Sequence, residues 1–154
     1  MLDCTFAIDP VTWDDPDAVR LRAAQRTELD ARYGTDDHEP GAVPTAETVA
    51  VFLVARDAAG TAIGCGGLRL LGPGSGEVKR MYVEPAARGT GVATALLRAL
   101  EDRARELGIA RLLLETGTGQ PDAIRFYRRE GYEPIEAFGP YVGEPLSVCF
   151  ARDL

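Results

Sequence analysis

Arg88-Gly89-Thr90-Gly91-Val92-Ala93 stands between a β-rich run and a long helical one, which fixes a strand–turn–helix unit in the middle of the chain. The run before it, Glu77-Val78-Lys79-Arg80-Met81-Tyr82-Val83, ends at Glu84-Pro85, where proline stops strand pairing. After it, Val92, Leu96, Leu100, Ala104 and Leu107 recur with helical spacing. The two glycines let the backbone turn tightly and present N–H groups where the helix begins. Those unpaired amides and the positive end of the helix dipole form an anion site, and Arg88 adds a full charge. The unit therefore reads as a seat for a pyrophosphate.

Three other readings of the turn stand beside this one. It can be an ordinary strand-to-helix connection in which the glycines serve geometry alone. A Walker-type loop is excluded, since the chain contains no Gly-Lys-Ser or Gly-Lys-Thr. A dinucleotide fingerprint nearly fits Gly89-x-Gly91-x-x-Thr94, with Glu115 at about the distance of a ribose-binding acid. That fingerprint normally follows the first strand of its unit, whereas here several strands come earlier.

The surrounding residues resemble the GNAT superfamily of N-acetyltransferases, in its small single-domain bacterial form. Arg88-x-x-Gly91-x-Ala93 matches the Gln/Arg-x-x-Gly-x-Gly/Ala signature of that superfamily. The strand Ala110-Arg111-Leu112-Leu113-Leu114-Glu115 follows. Then Ala123-Ile124-Arg125-Phe126-Tyr127-Arg128-Arg129-Glu130-Gly131-Tyr132 resembles the family's Ala-x-x-Phe/Leu-Tyr-x-x-x-Gly-Phe/Tyr block. The three blocks stand in the family's order across residues 48–132.

The resemblance implies an acetyl-CoA-dependent N-acetyltransferase that moves an acetyl group to a primary amine by direct attack in a ternary complex, without metal. It places the pyrophosphate on Gly89, Thr90, Gly91, Val92 and Ala93, with Arg88 and the Thr94 hydroxyl beside them. Backbone groups of Met81 and Val83 would pair with the pantetheine arm, and N–H groups near Met81 and Tyr82, at a family bulge, would meet the oxyanion. Tyr127 corresponds to the tyrosine that protonates the departing thiolate. Gln120 stands where relatives carry a CoA-contacting asparagine, one methylene longer. Glu77 holds the position of a catalytic glutamate in several members. A primary amine with a pKa of about 10.4 is mostly protonated at neutral pH, so a base is needed. The rival reading is a GNAT-like module that binds acyl-CoA for regulation or assembly and turns nothing over.

At 154 residues the chain is long enough for one domain, taken as residues 1–154. Three scattered cysteines (Cys4, Cys65, Cys149) and one histidine, His38, are too few for a zinc-type site. A Cys65–His38 acyl relay is conceivable, although nothing around either residue signals activation. The net charge of −7 argues against nucleic acid and is compatible with a cationic acceptor. No apolar run is long enough for a bilayer, and the start Met1-Leu2-Asp3-Cys4-Thr5 lacks a signal core, so a cytoplasmic location is expected.

The expected fold is α/β (α+β): a mixed, mostly antiparallel central sheet with helices on both faces and a splayed strand pair for acetyl-CoA. A first strand is read at residues 2–8, a helix from Pro16 to Tyr33, strands at residues 49–55, 61–71 and 77–83, and a flexible connector at 72–76. The second helix is expected to carry Arg98–Asp102 and Glu101–Arg105 pairs on its wet side, and residues 146–150 to close the sheet. The acceptor side would be lined from Arg22, Arg26, Glu28, His38, Lys79, Arg80 and Tyr141, with Lys79 or Arg80 able to hold a substrate carboxylate. Small amines, amino-acid-like molecules and protein acceptors all fit that description. Exposed strand edges are compatible with a homodimer.

Overall fold

The computed structural model describes residues 5–154, so Cys4 and the first part of the strand expected at residues 2–8 lie outside the described residues. Seven strands form one sheet: β1 (Phe6–Pro10), β2 (Val49–Asp57), β3 (Ala62–Gly72), β4 (Ser75–Val83), β5 (Arg111–Gly117), β6 (Glu133–Ile135) and β7 (Ser147–Asp153). Their spatial order is β1-β2-β3-β4-β5-β7-β6, antiparallel except for β4 with β5. The last strand does not close the sheet at an edge. It lies between β5 and the three-residue β6, whose proline had hidden it from a reading of strand pattern.

Helix α1 (Pro16–Tyr33) keeps its expected bounds for identifiable reasons. The Asp15 carboxylate accepts from the N–H groups of Asp17 and Ala18 at 3.0 and 3.1 Å, Pro16 opens the first turn, and Gly34 ends the helix in a left-handed conformation. Helix α2 (Val92–Glu106) buries Val92, Leu96, Leu97, Leu100 and Ala104 against β2 and β3. Leu107, which continues that spacing, falls past the helix end and is exposed.

Alternation along β2 divides the core. Leu53 and Ala55 face α2 and α3 (Pro121–Arg129), whereas Phe52 and Val54 face α1. Each fully buried leucine on α2 contributes about 1.5–3 kcal/mol of apolar burial. The glycines of β3 have a packing reason, since a Cβ at Gly66 would stand 2.6 Å from the Met81 sulfur and 3.1 Å from Leu100. The 72–76 connector is a tight hairpin, with Ser75 and Gly76 already part of β4.

The wet-side pairs expected on α2 are rearranged. Asp102 meets Arg105, but Glu101 is buried at 1% exposure and receives Arg98, Arg152 and the Tyr132 hydroxyl, all within 2.9 Å. This cluster ties α2 to β7 and to the segment after α3. Among the described residues, no helix is long and apolar enough to cross a membrane.

Candidate active site

The parallel pairing of β4 with β5 lasts three residues, Ser75 with Arg111, Gly76 with Leu112 and Glu77 with Leu113. Beyond it the strands part, and two cavities open around the gap. On the other edge of β4, Cys65 faces Tyr82 while Gly67 faces Lys79, so β4 holds one residue more than β3. The resulting bulge puts Arg80 at φ 59°, and Gln25 Nε2 on α1 donates to the Met81 carbonyl at 2.9 Å. This bulge occupies the stretch where the resemblance places the oxyanion donors, Met81 and Tyr82.

The larger cavity, about 600 Å³, runs from Met81, Tyr82 and Val83 to the glycine turn and the start of α2. Gly89 (φ 78°) and Gly91 (φ 91°) both take left-handed conformations, and Gly91 caps the helix. The first intrahelical bond is from Ala95 N–H to the Gly91 carbonyl (3.0 Å). The N–H groups of Val92, Ala93 and Thr94 therefore have no acceptor within the helix, as an anion seat requires.

Three side chains of the turn sit otherwise than the sequence implied. Thr90 is not in the cavity wall, because its hydroxyl turns back onto the Ala87 carbonyl. The Thr94 hydroxyl donates to the Glu130 carboxylate, which takes the proton a phosphate would need. Arg88 lines the cavity but is anchored, through Nε to the Val83 carbonyl at 2.9 Å and through Nη2 to Glu28 at 2.8 Å. Arg32, Arg125 and Arg129 also line this cavity, and sequence reasoning had not singled them out.

The smaller cavity, about 370 Å³, lies between α1, the loop of residues 34–48, the β4 bulge and the end of β5. His38, Lys79 and Arg80 line it as expected. Arg22 does not, because its guanidinium stacks 3.6 Å over the Trp13 ring and donates to the Trp13 carbonyl. Glu28 belongs to the other cavity, and Tyr141 is fully buried.

Glu39 was not anticipated. Its Oε1 accepts from Lys79 Nζ at 3.1 Å and from Arg80 Nη1 at 2.7 Å. Burial alone would raise its pKa, but Arg80 and Lys79 outweigh it and hold the carboxyl at about 2, against an ordinary 4.5. The depressed value means that the contribution is complete above the unfolded pKa and is lost as pH falls through about 2. Urea unfolding of wild type and Glu39→Gln is thus expected to differ by about 3 kcal/mol at pH 7, and the gap to close toward pH 2.

Glu77 lies beneath this cavity and is not in its wall. At 1% exposure, its Oε1 accepts from Arg69 Nη2 at 2.6 Å and its Oε2 from the Tyr141 hydroxyl at 2.6 Å, with Lys79 Nζ 3.8 Å away. Glu115, two residues past the last β4–β5 pair, does line the cavity and accepts from Ser147 Oγ at 2.7 Å.

The two cavities meet on a shared wall of Gln25, Leu29, Met81, Gln120, Ala123 and Tyr127. Tyr127 is 7% exposed, and burial pushes its phenol well above the ordinary tyrosine range. Its ring sits edge-on to Phe126 and Tyr132. Gln120 precedes α3, with its amide 3.4 Å from the Tyr33 hydroxyl. Gln25 has its Oε1 buried without a hydrogen bond.

Two alternative chemistries lose their residues. Burial pushes the Cys65 thiol up to about 12, and its Sγ donates to the Arg80 carbonyl, while His38 Nε2 is 2.7 Å from Asp30. No activated thiol–imidazole pair results. Glu115, the acid of the dinucleotide pattern, stands in the smaller cavity, apart from the glycine turn.

Comparison with known proteins agrees with this fold. The family model described as Acetyltransferase (GNAT) family matches residues 13–132. An IAA acetyltransferase of Azospirillum brasilense is 46% identical over 104 residues, 67% of this chain and 67% of that protein. A Klebsiella pneumoniae crystal structure, assigned to an acyl-CoA N-acyltransferase, superposes with a TM-score of 0.83 at 38% identity over 99% of both chains. A GNAT family acetyltransferase of Elizabethkingia anophelis with acetyl-CoA bound shares the fold, with a TM-score of 0.69 at 17% identity over 97% of this chain and 98% of that one. The chain belongs to the acetyltransferase (GNAT) family.

Proposed function

We propose that this protein transfers an acetyl group from acetyl-CoA to a small primary amine by direct attack while both substrates are bound. The observation that carries the reading is the meeting of two oppositely charged cavities at Tyr127. Among the described residues, the larger cavity is walled by Arg32, Arg88, Arg125 and Arg129 against Glu28 and Asp122. That excess of positive charge, added to the α2 amides, suits a diphosphate. The smaller is walled by Asp37, Glu39, Glu115 and Glu144 against Lys79 and Arg80. An excess of carboxylates favours an acceptor that arrives as an ammonium ion.

In this mechanism the glycine turn, Val92 and Ala93 hold the diphosphate, and the opened edge of β4 at Met81 and Val83 pairs with the pantetheine amides. The thioester then reaches the shared wall beside the β4 bulge, where backbone N–H groups at Met81 and Tyr82 stabilise the oxyanion. Tyr127 gives its proton to the departing thiolate. Gln120 closes the floor between the cavities and contacts the cofactor from the start of α3. Glu77 supports the acceptor side through Tyr141 and Lys79, which both reach its carboxylate.

Calorimetry with coenzyme A and a thiol-release assay over a panel of small amines test the reading together. Wild type is expected to bind coenzyme A and to release thiol with at least one amine. Gly91→Val forces a branched side chain to φ 91°, at a cost of about 1–2 kcal/mol, and should weaken coenzyme A binding by tenfold or more. Binding without thiol release for any amine would mark a non-catalytic acyl-CoA module. Unchanged affinity in Gly91→Val would remove the turn from the cofactor site.

A further inference from the structure

The geometry points to Glu115 as the group that takes the proton from the acceptor ammonium. This inference rests on the acetyl transfer proposed above and assigns its missing base. Leu112 and Leu114 turn into the core under α2, so the two-residue period of β5 sends Glu115 to the opposite face. There the strand has already parted from β4, and the side chain enters the wall of the acceptor cavity.

Its two oxygens are not equivalent. Oε2 accepts from Ser147 Oγ on β7, which fixes the carboxyl, while Oε1 has no hydrogen-bond partner among the described residues. Glu77 offers neither condition. Both of its oxygens are held at 2.6 Å, and it lies outside the cavity wall, so protonating it would break a buried ion pair with Arg69.

The surroundings of Glu115 also favour its taking up a proton. Burial raises its pKa above the ordinary carboxyl range, and Glu39 and Glu77 push the same way, against the Ser147 hydrogen bond and the Lys79 charge. Tyr141 and Cys149 also face it, both with pKa values raised and so neutral at pH 7. Tyr33, Asp37, His38, Arg80, Tyr127 and Glu144 complete the charged and titratable wall of the cavity. A carboxylate that binds a proton more readily than usual is a better base for an ammonium, and it still releases that proton to water afterwards.

The proton and bond changes balance. The ammonium gives one proton to Glu115, and the neutral nitrogen attacks the thioester carbon, forming the C–N bond and an oxyanion. Collapse breaks the C–S bond, and the thiolate takes the Tyr127 proton. The second nitrogen proton restores the phenol, and Glu115 returns its proton to solvent. The net products are amide, coenzyme A thiol and one proton.

Two measurements test the assignment. In free protein carrying 13C-carboxyl glutamate, the resonance missing from Glu115→Gln should titrate above the ordinary range. In thiol release with ethylamine, Glu115→Gln should lower kcat at least 100-fold, abolish the acid limb of kcat/KM, and leave acetyl-CoA affinity unchanged. Glu115→Asp should restore part of the rate. With 2,2,2-trifluoroethylamine, which is already neutral at the assay pH, the loss should shrink at least tenfold; a purely structural role would affect both amines alike.

An ordinary titration midpoint overturns the assignment, as does a Glu115→Gln kcat within threefold of wild type. So does loss of the acid limb in a Glu77→Gln protein that melts like wild type. If wild type binds acetyl-CoA but releases no thiol with either amine or with the wider panel, the acetyl-transfer reading itself fails and takes this assignment with it.

Discussion

Replacing Tyr127 with phenylalanine is expected to lower kcat by about two to three orders of magnitude and to leave acetyl-CoA affinity within about threefold. The ring fills a buried place between Phe126 and Tyr132, and phenylalanine keeps that packing while removing only the hydroxyl. Burial raises the phenol's pKa, so at neutral pH the group is fully protonated and ready to donate. Steady-state kinetics and calorimetry on the same preparation check the result. Equal turnover in wild type and Tyr127→Phe would remove the phenol from the reaction.

Replacing Glu101 with alanine is expected to destabilise the protein strongly, although the residue lies on a helix rich in exposed charges. Glu101 Oε1 and Oε2 accept from Arg98 and Arg152, and Oε2 also from the Tyr132 hydroxyl, at 2.8 to 2.9 Å. Removing the carboxylate leaves the Arg152 guanidinium and the buried Tyr132 phenol without their acceptor, while Arg98 keeps Glu130, and the loss costs about 3 kcal/mol. In a domain of this size that corresponds to a fall in Tm of roughly 10 °C. Scanning calorimetry reads it directly, and a shift below about 2 °C would mean that the cluster contributes little. Glu101→Gln keeps one acceptor oxygen and should fall between the two.

These two residues differ in how visible they are in the chain. Tyr127 belongs to a local block, and its helix is bounded by Pro121 and Gly131, so its place could be read from neighbours in sequence. Glu101 could not, because a glutamate three or four residues from an arginine reads as a solvated pair. Only the return of β7 beside β5 brings Arg152 across from 51 positions away. The caps of α1, the apolar stripe of α2 and the left-handed glycines at 89 and 91 are likewise local and were legible.

The acceptor cavity was legible in part. Lys79 and Arg80 stand out beside the conspicuous β4 strand, but their partner Glu39 comes from a loop 40 or more positions earlier, with no periodic signal. Gln25 and Leu29 sit on α1, where polar groups facing the cavities blur the amphipathic pattern that marks a packed helix. Glu115 stands out in the chain only as the acid of a dinucleotide pattern, and its place beside the acceptor appears only where β4 parts from β5.

That parting bears on mechanics as well as on chemistry. Only three ladder positions join β1–β2–β3–β4 to β5–β7–β6. The sheet thus carries a seam down its centre, spanned by α2 and its arginine–glutamate cluster. A cofactor arm with amides of its own would act as a suture there. Occupancy should then tighten both halves into one unit, and amide protons on either bank of the seam should exchange more slowly once it is filled.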